Sequence, residues 1–258
     1  MKLLDAHLHL QDKRFNGKVD ELITAAFNEG VERMICCATS EKDWDQVIEL
    51  ADRHPSVVPM LGVHPWSAHK VTSGWQERFV KLLKKTGAGV GEIGLCKLVD
   101  INPAAQEEVF AMQLALASEM RRPIAVHCVR RWGRLLEMLS DSYPLEAGCM
   151  IHAFGASEEV MDRLLELGAL LSFSGRLADP RNEKMRRLFI AAPIDKVLLE
   201  SDAPDMYCGA LVGDASGLKS NSTPAMTAKL YRFAADLKDM DLEQFAAQVW
   251  KNGQIFTH

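Results

Sequence analysis

Long apolar runs are missing from this sequence. It has no stretch approaching the ~18 consecutive apolar residues that suggest a membrane-spanning helix. Its first ten residues, MKLLDAHLHL, also lack the long apolar segment of a signal peptide. We therefore expect a cytoplasmic protein with no membrane partner.

Positive charge is also scarce. Lysine and arginine number 30 against 35 acidic residues, which gives a formal net charge of −5. A protein that holds a long nucleic-acid duplex needs a broad basic surface. Any contact with nucleic acid is therefore expected to be local.

The six cysteines include no CxxC pair. Four of them lie inside apolar, strand-like segments rather than in a spaced metal-binding or disulfide pattern. This distribution favours reduced thiols in a cytosolic protein.

Short apolar runs alternate along the chain with amphipathic segments of helical length. Eight runs are typical of buried parallel strands: LLDAHLHL, VERMICCAT, VVPMLGVHP, AGVGEIGL, PIAVHC, EAGCMIHAF, GALLSFSG and DKVLLESDAPD. Eight strand–helix units in 258 residues predict an α/β protein with a (β/α)8 TIM barrel. An open doubly wound sheet is the alternative, but the GxGxxG turn expected after its first strand is absent.

The chain shows no linker rich in Pro, Gly or Ser that would separate a second domain. The last amphipathic stretch, LEQFAAQVWKNGQIF, is additional to the eight repeating units. We therefore predict one barrel domain over residues 1–258 with an extra C-terminal helix.

Ionisable side chains stand where the predicted strands end. His7 and His9 close the first strand, and alternate strand residues share a face. Active sites of TIM barrels lie at these carboxyl ends. The other strand-end residues are His64, Glu92, His127, His152 and Asp202.

A single histidine at such a position is more often a hydrogen-bonded core or loop residue than a ligand. Burial of the six candidates other than His64 at matching strand ends would cost several kcal/mol each without a compensating cation. The set therefore predicts a metal site.

These motifs have an order that resembles a known family. DAHLHL, GVHP, GEIGL, PIAVHC, HAFG, SFSG, LLESDAPD and the terminal NGQIF follow one another as in the TatD-like metal-dependent hydrolases of the amidohydrolase superfamily. The resemblance runs nearly end to end. It implies a TIM barrel of the metal-dependent hydrolase type that acts as a deoxyribonuclease, often on single strands from an end.

The resemblance also implies the roles of the site residues. The metal ligands carry over to His7, His9, Glu92, His127, His152 and Asp202. His64 carries over as a catalytic residue on the substrate side, and Glu92 is predicted to be catalytic as well as a ligand. Asp202 is expected to accept the proton of the attacking water as general base. The expected cofactors are two divalent ions (Zn, Mn or Mg), one held by His7, His9 and Glu92 and the other by Glu92, His127 and His152.

The sequence departs from the family pattern at two places. Cys96 stands where the family commonly has Asp, in GEIGLC. It is interpreted as a neutral bystander, with a soft extra metal ligand or a weakened support of the site as alternatives. The usual Asn-Glu-Pro after the last strand is replaced by Asn221, Ser222, Thr223 and Pro224.

Basic and aromatic residues near the strand ends could contact a substrate. Arg130 and Arg176 are candidates for phosphate contact, although most neighbouring arginines are expected on solvated helix faces. Trp66 and Trp132 could stack on an unpaired base, although packing is the more common role of such residues.

The predicted partners are single-stranded DNA ends or a short nucleic-acid substrate, cut by a monomer. Two alternatives stay open. One is hydrolysis of a small amide, lactone or phosphoester, which needs no basic surface. The other is a metal-holding binding protein, which the complete ligand set disfavours.

Overall fold

The computed structural model describes residues 1–142, 147–214 and 220–257, which form eight strands and ten α-helices. The strands are β1 Leu3–Leu8, β2 Val31–Cys37, β3 Val57–Leu61, β4 Gly89–Cys96, β5 Ile124–Val129, β6 Cys149–Ile151, β7 Leu170–Ser174 and β8 Val197–Glu200. Each predicted strand is present, and only Glu146 of the predicted sixth run lies outside the described residues.

The helices follow the strands in strict alternation up to β8. They are α1 Val19–Asn28, α2 Trp44–Arg53, α3 Trp75–Thr86, α4 Pro103–Glu119, α5 Trp132–Asp141, α6 Glu158–Glu166, α7 Glu183–Ala191, α8 Gly209–Val212, α9 Met226–Leu237 and α10 Leu242–Gly253. The four-residue α8 was not predicted, because one turn leaves no apolar period in the sequence. Within the described ranges, no helix combines the length and the apolar character needed to cross a membrane.

The strands form one sheet in sequence order, β1 to β8. The pairings with a resolved register are parallel, such as Leu3 opposite Val31 and Ser174 opposite Glu200. Parallel strands in this order, each followed by a helix, are the topology of the predicted (β/α)8 fold.

The described residues divide into two compact units. The first unit contains residues 1–36, 153–157, 171–214 and 220–257, and the second contains residues 37–142, 147–152 and 158–170.

The core of the first unit is a chain of aromatic contacts. Phe173 lies 6.1 Å from Phe154 and 5.1 Å from Phe189, ring centre to ring centre. Phe245 of α10 contacts Phe189 at 6.4 Å and Tyr231 of α9 at 6.0 Å. Burial of such rings is a large part of what stabilises a domain.

The extra helix α10 lies against the start of β1 and β8. Asn252 donates hydrogen bonds of 2.8 Å to the carbonyls of Ile194 and Val197. A Cβ on Gly253 would stand 2.0 Å from Leu4 Cδ2, so only glycine permits this approach. The helix thus covers the ends of these strands that are distant from His7 and Asp202.

The core of the second unit centres on Trp44. Its ring lies 5.0 Å from Phe79, and its Nε1 donates a 2.8 Å hydrogen bond to the Gly62 carbonyl. The indole therefore satisfies its buried donor while it ties α2 to the end of β3.

Candidate metal centre

Three predicted ligands of the first unit converge at the ends of β1 and β8. The Nε2 atoms of His7 and His9 are 3.3 Å apart, and each lies 3.7 Å from Asp202 Oδ1. His7 and Asp202 are buried, and the His9 side chain is 12% exposed. We call these residues the His7 cluster.

The backbone of the two strands sets this geometry. The Asp202 amide donates to the His7 carbonyl at 3.0 Å, and the His9 amide donates to the Ala203 carbonyl at 2.8 Å. Asp202 has a positive φ of 49°, a conformation that aspartate tolerates better than most residues. The strand register therefore delivers all three side chains to one point.

The buried carboxylate of Asp5 lies two residues before His7 and bonds to the backbone next to Asp202. Asp5 accepts hydrogen bonds from the Ser201 amide at 2.8 Å and from Thr227 Oγ1 at 3.0 Å. Burial raises the pKa of Asp5 to about 7, although the bonds from Ser201 and Thr227 favour the charged form. Sequence analysis missed this residue, whose spacing of two from His7 in DAHLHL is its only signal.

The predicted site residues of the second unit, the ligands Glu92, His127 and His152 and the substrate-side His64, meet at one carboxylate oxygen. Glu92 Oε1 lies 2.9 Å from His127 Nδ1, 3.3 Å from His64 Nε2 and 3.7 Å from His152 Nε2. These four residues, here called the Glu92 cluster, are all buried.

One glycine makes the close strand contact beneath this cluster possible. Gly94 follows Glu92 in β4 with a φ of +142°, and a Cβ there would stand 2.0 Å from the His127 carbonyl oxygen. Only glycine therefore lets β4 and β5 approach closely enough to bring Glu92 and His127 together.

The protonation of His64 follows from its surroundings. Its Nδ1 accepts a 3.2 Å hydrogen bond from the Trp66 amide, so this nitrogen carries a lone pair. In neutral imidazole the other nitrogen then carries the hydrogen. Nε2 is therefore a donor that faces Glu92, and His64 does not serve as a metal ligand in this form.

The imidazole of His127 contacts both Cys96 and Glu92. Burial lowers the pKa of its imidazole, but the contacts with Cys96 and Glu92 outweigh burial and raise it overall. Burial in turn raises the pKa of Cys96, while His127 and Trp66 lower it by more. Trp66 Nε1 donates to Cys96 Sγ at 3.2 Å, so the thiol links an indole to a predicted metal ligand.

Two glutamines of α4 fix the strand ends of the second unit. Gln113 accepts a 2.7 Å hydrogen bond from the Val63 amide and donates to the Val63 carbonyl at 3.2 Å. Gln106 makes the same pair with Cys96, at 2.8 and 3.0 Å. Sequence analysis missed both, although a spacing of seven places them on one helix face.

Both clusters fit a divalent metal ion. The donor atoms of His7, His9 and Asp202 lie within 4.8 Å of one another. In the Glu92 cluster, the buried Nε2 of His127 has no hydrogen-bond partner of ordinary geometry within the described residues. Imidazole nitrogens and carboxylate oxygens are the donor types that zinc and similar ions use.

The remaining predicted residues lie outside the two clusters. Arg130 is exposed with a φ of 57°, and Arg176 is exposed after β7. The Trp66 ring is 49% exposed and stands edge-on to His64 at 5.0 Å, whereas Trp132 is half-buried as the first residue of α5. Trp66 thus has one exposed face beside the cluster.

The segment that replaces the family's Asn-Glu-Pro has a structural role here. Ser222 is buried, and its Oγ donates to the Ser201 carbonyl at 3.0 Å. Its amide donates to the Pro204 carbonyl at 3.0 Å. Ser222 therefore fixes the residues on either side of Asp202.

Comparisons with known proteins agree with this architecture. The family model described as TatD related DNase matches residues 4–257. A relative from Edwardsiella piscicida named 3'-5' ssDNA/RNA exonuclease TatD is 30% identical over 206 residues, which cover 78% of this chain and 79% of the relative. The Escherichia coli K12 protein named uncharacterized metal-dependent hydrolase YjjV is 26% identical over 256 residues, 97% of this chain and 96% of that one.

Solved structures confirm the predicted fold. The crystal structure of YjjV, a TatD homologue from Escherichia coli K12, superposes with a TM-score of 0.90 at 26% identity and covers 98% of this chain and 97% of its own. A TatD family hydrolase from Entamoeba histolytica, at 19% identity, shares the fold with a TM-score of 0.87 over 99% of this chain and 98% of that one. The fold is the predicted (β/α)8 barrel.

Proposed function

This chain belongs to the TatD-related DNase family, and from that membership we propose that it is an exodeoxyribonuclease that acts on the ends of single-stranded DNA. Membership makes it a metal-dependent hydrolase of the nuclease class. The relatives named as 3'-5' exonucleases of single-stranded DNA and RNA support the narrower activity.

The observation that carries the proposal is the convergence of the His7 cluster. Two imidazole nitrogens and one carboxylate oxygen meet at the strand ends, with His7 and Asp202 buried. We propose one divalent ion, Zn²⁺, Mn²⁺ or Mg²⁺, at this cluster and one at the Glu92 cluster. A bridging role of Glu92 between the two ions stays a prediction.

The protein's own residues have distinct tasks in this proposal. Bound divalent ions supply Lewis-acid stabilisation of phosphoryl charge and make water a stronger acid. His7 and His9 hold the imidazole donors in register, and Asp202 accepts the proton of the attacking water. His64 presents an N–H donor that can stabilise a phosphoryl oxygen as its charge grows.

A strand end suits this site better than a duplex interior. The net charge of −5 provides no broad attraction for a duplex. Divalent ions in a recessed site bind one or two phosphates without a large basic surface. RNA ends are a second proposed substrate, because no residue here is identified as a sensor of the 2′-hydroxyl.

The proposal is tested with end-labelled single-stranded DNA and protein loaded with Mg²⁺, Mn²⁺ or Zn²⁺. We expect progressive shortening that chelator abolishes, and labels at the 3′ or the 5′ end identify the direction. Asp202→Asn should lower turnover at least about 10²-fold, because it removes the proton acceptor. Circular dichroism should show an unchanged fold.

Two results would contradict the proposal. Unchanged turnover of Asp202→Asn would remove that residue from the mechanism. Hydrolysis of a small ester, lactone or amide without cutting of any nucleic acid would assign the site to the small-molecule alternative.

A further inference from the structure

The first unit contains a cavity of about 930 Å³. Pro204 and Asp205, which line it, lie two and three residues after Asp202 in the chain. Other walls come from the loop after β1 and the segment after β7. Cavities of roughly 300–1,000 Å³ are the usual size for bound small molecules, so this cavity has room for a nucleotide, and its lining segment starts two residues after Asp202 of the His7 cluster.

Two arginines in this cavity are already neutralised. Arg14 donates through Nε and Nη2 to Asp12 and through Nη1 and Nη2 to Asp205, at 2.8–2.9 Å. Arg181 donates to both oxygens of Asp179 at 2.8–3.0 Å. These contacts fix flat guanidinium groups in the wall. The Arg181–Asp179 pair is neutral, whereas Arg14 between Asp12 and Asp205 leaves one net negative charge.

Arg176 differs from both. It lines the same cavity and is exposed, and its guanidinium forms no ion pair with the side chains that the structure describes. Arg176 lowers the pKa of the Asp179 carboxyl less than Arg181 does. Its backbone is fixed, since the Arg176 carbonyl accepts a 3.0 Å hydrogen bond from Asn182 Nδ2. Among the described lining residues, Arg176 is therefore the available cation, and it stands on a defined backbone.

Tyr207 provides an aromatic surface in the same cavity. Its hydroxyl donates a 2.6 Å hydrogen bond to Asp214 Oδ2, which holds the ring in place. The ring is half-buried, so one part of it faces the cavity. Nucleobases stack on tyrosine rings and on guanidinium planes, without sequence preference.

We propose that this cavity binds the nucleotide adjoining the bond to be cut, with Arg176 paired to one phosphodiester and the base stacked on Tyr207. One unpaired cation matches the single negative charge of a phosphodiester better than the double charge of a terminal phosphate. The proposal rests on the proposed nuclease function and extends it to a defined subsite.

Binding without cutting provides the test. Fluorescence anisotropy of a labelled phosphorothioate oligothymidylate, whose linkages resist hydrolysis, is measured with the metal-loaded protein. Arg176→Gln should weaken binding by about tenfold or more, as expected for a charge-assisted hydrogen bond. It should also reduce the slope of log affinity against log salt by about 0.7, the value for one phosphate of a single strand.

Arg187→Gln is the matched control. Arg187 is an exposed arginine of α7 outside the cavity lining, so the same loss of charge should leave affinity and salt slope unchanged. Tyr207→Ala should weaken binding about tenfold through lost stacking, whereas Tyr207→Phe keeps the ring and should bind within about twofold of the native protein. Thermal melting checks that each variant is folded.

The outcomes separate this proposal from the proposed function. Equal affinities of Arg176→Gln and Arg187→Gln, or no oligonucleotide binding by the native protein, would overturn the subsite even if the native enzyme cuts DNA. Arg176-dependent binding by a protein that cuts no nucleic acid with any of the three metals would support the subsite and overturn the nuclease function.

Discussion

The Nδ1 atom of His64 accepts its hydrogen bond from a backbone amide, that of Trp66, which cannot reverse its direction. At the scale of single residues, this bond distinguishes His64 from its three neighbours in the Glu92 cluster. A histidine whose Nδ1 is occupied in this way presents Nε2 as a donor. His64 therefore suits contact with substrate oxygen better than metal ligation.

His64→Ala should separate these two roles. Loss of one positioned donor costs about 10²-fold in kcat, whereas metal content should stay that of the native protein. Metal analysis after dialysis, combined with turnover on single-stranded DNA, measures both. A variant that loses one metal equivalent would show that His64 is a ligand after all, and His152→Ala provides the comparison at a predicted ligand.

Cys96 is the second residue whose chemistry the structure narrows. The groups of donor atoms that converge among the described residues do not include its sulfur. Sγ instead accepts from Trp66 and contacts His127. The thiol thus borders the Glu92 cluster as a hydrogen-bonding neighbour of a ligand.

We expect Cys96→Ser to keep metal content and activity within about threefold. The serine hydroxyl can still accept the hydrogen bond from Trp66. Replacing a residue beside a ligand also lowers metal affinity less than replacing a ligand does. Isothermal titration with Zn²⁺ gives stoichiometry and affinity. Disappearance of one binding equivalent would assign Cys96 to the ligands. Cys128→Ser, a buried thiol of the same unit, controls for general loss of a sulfur atom.

At the scale of elements, α4 acts as a clamp on the ends of β3 and β4. Gln106 and Gln113 each satisfy both backbone groups of one strand-end residue. Val63 directly precedes His64, and Cys96 closes the strand that carries Glu92. The helix therefore positions the Glu92 cluster without contributing a residue to it.

Gln113→Leu should destabilise the protein by about 2 kcal/mol or more, because it leaves the buried amide and carbonyl of Val63 without partners. Denaturant unfolding measures the loss. Gln244→Leu, at an exposed position of α10, should change the free energy of unfolding by less than about 0.5 kcal/mol. Equal stability of the two variants would show that the clamp is unimportant.

Strands and helices with a clear apolar period could be predicted from the sequence, whereas hydrogen bonds made by a single polar side chain could not. The eight strand runs appear in order because buried parallel strands are continuously apolar. Gln106 and Gln113 escaped notice because glutamine in a helix is usually solvated. The direction of the His64 hydrogen bond depends on a backbone amide, which the sequence does not locate.

The candidate ligands were recognised for a different reason. Each stands at a strand end, where the fold itself brings functional side chains. The His7 cluster illustrates this, since His7 and His9 follow from the strand period, while Asp202 is placed by backbone hydrogen bonds between the ends of β1 and the segment after β8. Asp5 was missed because a carboxylate before the first histidine has no distinct pattern.

At the scale of the whole molecule, the net charge and the geometry of the site favour contact with a few nucleotides over contact with a long stretch of nucleic acid. The chain is acidic, and its candidate phosphate ligands among the described residues are the two metal clusters, Arg130 and Arg176. An enzyme of this kind should hold a strand by its end and recognise few nucleotides. It should need a free end more than a particular sequence.

The most direct measurement compares two forms of one single-stranded DNA, linear and covalently closed, with the metal-loaded protein. Site geometry and charge predict that the linear form is shortened nucleotide by nucleotide while the circle is cut far more slowly, and that chelator stops both reactions. The circle offers the same phosphodiesters and lacks only the end. Equal rates on the two forms would contradict action from strand ends.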